Sequence, residues 1–217
     1  MRKIQNLIFD FDGTLADTSK LIVSTFQKTI EELDLPFRSE EDIKATIGIR
    51  LEEIPSYLWP DIPGLGENMA AIYRKNFVIL KDIIPVELFP GVKETLQNLS
   101  GKGIKMAIAT SRSRHSVEEL TEQLGIRKYF DYLLGGDNVL KGKPNPESIY
   151  MILKSMNWAV DPSMMIGDMS VDILMGKRVG IKTCGVTYGN GKEAELRESG
   201  ADYIISEFSS LTNVVTD

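Results

Sequence analysis

Leu7-Ile8-Phe9-Asp10-Phe11-Asp12-Gly13-Thr14-Leu15-Ala16-Asp17-Thr18 is the stretch whose reading decides the fold. A short apolar segment stops at an acid, a second acid follows two residues on, and Gly13-Thr14 makes a turn. A strand buried in an α/β sheet reads as a continuous apolar run, and ligands gather where such strands end. Two carboxyl groups placed there are costly to desolvate unless they hold a cation or do acid–base work. For Asp10 and Asp12 alone, a solvated turn with incidental acids is the competing reading.

Three more segments repeat the pattern further along the chain. Lys105-Met106-Ala107-Ile108-Ala109 runs into Thr110-Ser111-Arg112, Lys143-Pro144-Asn145-Pro146 lies in a polar loop, and Met164-Met165-Ile166 runs into Gly167-Asp168-Met169-Ser170-Val171-Asp172. Taken singly, Thr110-Ser111 also suits a helix cap, Lys143 a solvated lysine, and Asp168 with Asp172 an acidic helix start. Their order carries more weight than any one of them.

Apolar runs at 4–9, 104–109, 132–134, 164–166, 181–186 and 203–205 read as strands. Helical patterns near 92–99, 116–124, 146–156, 171–179 and 193–198 fall between them. Such alternation predicts an α/β fold, a Rossmann-like parallel sheet with helices on both faces. The region 16–85 breaks the pattern. Ile22, Phe26, Ile30 and Leu33 recur at helical spacing, as do Met69, Ile72, Tyr73, Phe77 and Leu80, with no strand between them. The expected organisation is a core of residues 1–15 and 86–217 with an inserted all-helical domain over 16–85.

An acid pair, a hydroxyl, a lysine and a second acid pair, in this order, match the four motifs of the haloacid dehalogenase-like hydrolases. The chain resembles the phosphatase branch that holds the phosphoglycolate phosphatases and β-phosphoglucomutases, and it does so over essentially its whole length. The resemblance implies a helical cap at the insert and hydrolysis of a small phosphorylated metabolite, phosphoglycolate-like or a sugar phosphate. Phosphoryl transfer runs through a loose transition state, so catalysis consists of positioning and charge neutralisation. Asp10 would be the carboxylate nucleophile that forms a phosphoaspartyl intermediate. Asp12 would protonate the leaving oxygen and then deprotonate the attacking water. The resemblance assigns Mg2+ to the Asp10 side chain, the Asp12 carbonyl and Asp168, with Asp172 behind them or acting through water. Thr110 and the Ser111 amide would hold phosphoryl oxygens, and Lys143 would neutralise charge beside Asp10.

Within the insert, Ile47-Gly48-Ile49-Arg50-Leu51-Glu52-Glu53 is similar to the loop that faces the active site in related enzymes. Arg50 is the candidate reader of a substrate carboxylate or second phosphate; a solvated arginine is its alternative. A phosphomutase is the nearest competing activity, but mutase relatives often carry a histidine early in the first cap helix, and residues 19–29 have none. A pyrophosphatase also remains in view. A phosphorylated receiver domain is disfavoured by chain length and by the single residue between the first two acids. A catalytically silent binding module is disfavoured by the intact Asp10, Asp12, Lys143 and Asp168.

The bulk properties agree with an ordinary enzyme of 217 residues and net charge −6, with one cysteine, Cys184, and one histidine, His115. That charge speaks against a nucleic-acid surface, and no apolar run is long enough to span a bilayer. One cysteine permits no intramolecular disulfide, and a cytoplasmic location is expected. A monomer or weak homodimer is the expected state. The stretch Gly189-Asn190-Gly191-Lys192-Glu193-Ala194 fits a nucleotide-loop pattern, but it follows the fifth candidate strand and no acid-terminated strand comes after it. Nucleotide binding there is not expected.

Overall fold

A computed structural model describes residues 3–216. The strands are β1 (Asn6–Phe9), β2 (Ala16–Asp17), β3 (Glu87–Leu88), β4 (Lys105–Ala109), β5 (Tyr132–Leu134), β6 (Ser163–Gly167), β7 (Lys182–Val186) and β8 (Tyr203–Ile205). The helices are α1 (Ser19–Glu32), α2 (Glu40–Lys44), α3 (Ile54–Leu58), α4 (Gly66–Leu80), α5 (Val92–Gly101), α6 (Arg114–Gln123), α7 (Glu147–Met156), α8 (Ser170–Val179), α9 (Glu193–Glu198) and α10 (Leu211–Thr216).

Six strands form one parallel sheet in the order β5-β4-β1-β6-β7-β8, as the alternating pattern predicts. Side chains alternate across it. Leu7 and Phe9 of β1 face one apolar layer with Leu96, Val117 and Phe208, while Ile8 faces the other with Ile149, Ile152 and Met175. Both faces are covered, which is why these strands read as unbroken apolar runs. The chain leaves β1 toward β4 and β5 and later returns to β6 on the other side, so the strand order reverses at β1. Register aligns the strand ends: Phe9 lies opposite Ile108 of β4 and Ile166 of β6. Asp10, Thr110 and Asp168 therefore emerge together at the carboxyl edge, where α/β sheets bind their ligands.

Between β2 and β3 lie α1 to α4, gathered around an apolar core of their own that includes Phe26, Ile43, Trp59, Met69 and Phe77. The periodicity of Ile22, Phe26 and Ile30 lies on α1, and that of Met69, Tyr73 and Phe77 on α4; these two helices pack on each other. Trp59 is 2% exposed, and its indole N–H donates to the Pro36 carbonyl at 2.9 Å.

One local expectation is corrected. Ala16 and Asp17, assigned from sequence to the helical insert, form β2, which pairs antiparallel with β3. The two chain segments that join the sheet to α1–α4 thus make a ribbon. Two-residue strands are too short to show a period of two. No helix among the described residues is long and apolar enough to cross a membrane.

Candidate active site

The loop after β1 turns back on itself. Ala16 N–H donates to Phe11 O at 3.1 Å, and Gly13 N–H donates to Ala16 O at 2.9 Å. Gly13 has φ +82°, and a side chain there would run into the Asp168 carboxylate and the Asn190 amide. Glycine supplies both the left-handed backbone and the close approach. The turn sends Asp10 and Asp12 to different surroundings.

Asp10 joins a buried group with Asp168, Asp172 and Lys143. Lys143 Nζ donates to Asp10 Oδ1 at 2.5 Å and to Asp172 Oδ1 at 2.7 Å. Burial lowers the Lys143 pKa, but Asp10 and Asp172 outweigh it and hold the ammonium firmly protonated. Burial raises Asp10 well above the usual carboxylate range; Lys143 opposes this, while Asp172, Asp168 and Asp12 add to it. Burial and then Asp172 push Asp168 up to about 7. Asp168 is fixed on both oxygens, accepting from Thr14 Oγ1 at 3.1 Å and from the Asn190 backbone N–H at 2.8 Å.

Oxygens of Asp10, Asp168 and Asp172 all lie within 4.8 Å of one another. Three buried carboxyl groups stand together with one lysine, which pairs with Asp10 and Asp172, an excess of negative charge that a hard cation relieves. An all-oxygen donor set suits Mg2+, so these residues fit the metal. The resemblance placed Asp172 behind the ligands or acting through water; it stands in the same cluster as the other two acids and also accepts from the Met169 N–H at 3.2 Å. The Asp12 carboxylate is engaged elsewhere, which is compatible with a carbonyl contribution from that residue.

Both Asp12 oxygens are held. Thr18 Oγ1 and Arg112 Nη2 donate to Oδ1 at 2.6 and 2.5 Å, and Arg112 Nε donates to Oδ2 at 3.3 Å. The guanidinium lies 5.0 Å from the Phe77 ring centroid on α4 and 6.0 Å from Phe11. Burial lowers the Arg112 pKa, but the Asp12 charge and hydrogen bonds outweigh it, so the net shift is upward. From the sequence, Arg112 had no assigned role. Its place directly after Thr110-Ser111, at the end of the strand beside β1, was the signal available for this pairing.

Thr110 is buried at the end of β4, where its Oγ1 accepts from the Arg112 N–H at 3.1 Å. The side chain that caps α6 is Ser113. Ser111 Oγ donates to Gly48 O at 2.5 Å, linking the β4 loop to the loop before α3. Arg50 lies on that same loop, and its Nη1 donates to Leu140 O at 3.0 Å. Asn190 was found through the glycine pattern and set aside for nucleotides; the structure has it hold Asp168. Glycines 13, 189 and 191 crowd around the same acid, where a side chain on any of them would clash with Asp168 atoms.

A cavity of about 340 Å³ opens between the sheet edge and α1–α4. Asp12, Ser111 and Arg112 line it together with Ile22, Phe26, Ile47 and Phe77.

A family model described as haloacid dehalogenase-like hydrolase matches residues 7–186. The chain is 33% identical to a pyrophosphatase PpaX of Halalkalibacterium halodurans, covering 98% of this chain and 97% of that one. It is 31% identical to a phosphoglycolate phosphatase of Vibrio parahaemolyticus, with 98% and 96% covered. Among solved structures, it is similar to a haloacid dehalogenase-like family hydrolase from Streptococcus pneumoniae, with a TM-score of 0.87 at 27% identity and 99% of each chain covered.

Proposed function

The chain belongs to the haloacid dehalogenase-like hydrolases, and on that footing we propose that it is a Mg2+-dependent phosphatase of small organic phosphate monoesters acting through a phosphoaspartyl intermediate. One observation carries the reading: Asp10, Asp168, Asp172 and Lys143 meet at the end of the central strand, while Asp12, two residues from Asp10, faces a separate cavity. That division suits two carboxyl groups with two roles.

An Asp10 oxygen attacks phosphorus and the bond to the alcohol oxygen breaks, with Asp12 giving that oxygen its proton. Asp12 then takes a proton from water, which attacks the phosphoaspartate and releases inorganic phosphate with Asp10 restored. The Asp10 side chain, the Asp12 carbonyl and Asp168 would hold Mg2+, with Asp172 beside them; bound there, the cation neutralises charge on the phosphoryl oxygens. Lys143 adds fixed positive charge next to Asp10, and Thr110 with the Ser111 amide would orient the phosphoryl group. Because Arg112 and Thr18 occupy both Asp12 oxygens, Asp12 must leave one of these partners to reach a leaving group. The helices α1–α4 would act as a cap hinged on the β2–β3 ribbon and exclude water on closing.

The names of the relatives support phosphate chemistry and include a pyrophosphatase, which keeps a phosphoanhydride substrate as the second reading. The expected outcome is phosphate release from monoesters with added Mg2+ and none in excess chelator, measured on a panel of phosphorylated metabolites. Undiminished release in chelator would overturn the metal-dependent reading, and release from pyrophosphate alone would favour the second one.

A further inference from the structure

The cavity beside Asp12 has an electrostatic property that the catalytic cluster does not explain. Four arginine and lysine side chains line it, and each is already partnered. Arg112 holds Asp12. Lys81 donates to Glu119 at 2.5 Å. Arg74 pairs with Glu52, and Arg50 donates to Leu140 O. The lining acids, Asp12, Glu52, Glu119 and Asp137, equal these cations in number, so the wall is close to neutral. His115 is the remaining basic side chain on it, and it is exposed. Three of the four cations carry a carboxylate partner and the Arg50 guanidinium is tied to the Leu140 carbonyl, so a substrate's second anionic group would have to draw on Arg50 or on a cation already paired. A buried charge without a partner is strongly disfavoured.

Thr46, Ser111, Ser113 and Ser116 add hydroxyls to the lining, and apolar side chains supply much of the remainder. Ile22 and Phe26 of α1, Tyr73 and Phe77 of α4, and Ile47 and Ile49 of the connecting loop all line the cavity. Its volume of about 340 Å³ lies within the roughly 300–1,000 Å³ of small-molecule sites. A glycolate or a second phosphate would leave much of that space to water. We infer that this cavity receives the alcohol portion of the substrate and selects phosphate monoesters of apolar, ring-sized alcohols over carboxylated or doubly phosphorylated ones.

This inference rests on the phosphatase reading and narrows its substrate class, so the test separates the two. Binding of two non-hydrolysable phosphonates is measured by calorimetry on the intact protein with Mg2+ in excess. One is 3-phenylpropylphosphonate, with the shape of 2-phenylethyl phosphate; the other is 3-phosphonopropionate, with the shape of phosphoglycolate. Burying a phenyl group on these walls is expected to tighten binding about 10- to 100-fold relative to the carboxylate. Ile49→Asn, a wall change outside the acid cluster, should reduce that ratio at least about threefold. Equal or tighter binding of 3-phosphonopropionate would overturn the inference, as would an unchanged ratio in a folded Ile49→Asn protein. Turnover of 2-phenylethyl phosphate and phosphoglycolate is measured alongside. Apolar preference in binding without phosphate release from either ester would refute the phosphatase reading and leave the selectivity standing.

Discussion

Asp10 and Asp12 differ only in what surrounds them. Asp10 sits among two other acids and Lys143, and Asp12 lies against Arg112 and Thr18. On the proposed mechanism the first carboxyl attacks phosphorus and the second carries the proton, so Asp12→Asn should show a defect that depends on the leaving group. An aryl phosphate departs without much protonation and should lose little rate, whereas an alkyl phosphate should lose about 2–4 decades. The check is kcat across a series of esters of increasing alcohol basicity; a flat defect would confine Asp12 to another role. The role of Asp12's neighbours was hardest to foresee at this scale. Arg112 lies 100 positions from Asp12 and Asn190 lies 22 from Asp168, so no local spacing joins them.

Among the elements, those with a long period or a fully buried run were legible in the sequence. β5, β8 and α9 have the predicted bounds, and β1 and β4 are shorter by two residues or fewer. The apolar runs of β1 and β4 are decided by burial on both faces, which a sequence displays directly. Short elements whose existence depends on partners were not legible. β2 exists because it meets β3, and α2 and α3 are five residues each. Asp10, Asp168 and Asp172 were legible as candidates because each follows such a strand or lies in the first turn of the helix after it. At the other end of the sheet, Asp202 precedes β8 and accepts hydrogen bonds from Lys177 of α8 and from Lys182 and Thr183 of β7. Burial raises its pKa, but these bonds outweigh it and hold the carboxyl below its usual value. A depressed folded pKa gives stability that is present above the unfolded pKa and is lost as pH falls through the folded one. The melting temperature of Asp202→Asn should therefore lie below that of the unaltered protein at pH 7, and the gap should close below about pH 3–4. A constant gap over that range would show that the Asp202 charge is not what matters.

For the whole molecule, the sheet and the helical segment meet through the β2–β3 ribbon and through side-chain ties between them. Ser111 reaches Gly48, Ser19 reaches Asn190 at 2.8 Å, Lys81 reaches Glu119, and Arg50 reaches Leu140. The sequence proposed Arg50 as a reader of substrate charge. With its guanidinium on a backbone carbonyl, Arg50 is better placed to position one unit against the other. Arg50→Ala should accordingly lower kcat/KM by a similar factor, about 3- to 10-fold, for a carboxylated and an uncharged-tail ester. A loss confined to the carboxylated ester would return Arg50 to substrate recognition.

The central claim is that phosphate passes through Asp10, and the most direct measurement is capture of that intermediate. The protein is mixed with substrate and Mg2+, quenched in acid within a turnover, digested and mapped by mass spectrometry. The phosphoryl mass should appear on the peptide containing Asp10, should be removed by borohydride reduction of the acyl phosphate, and should be absent from Asp10→Asn, whose rate should fall about 3–6 decades. Phosphate release at full rate from Asp10→Asn, or a phosphoryl group captured on a different residue, would contradict the account.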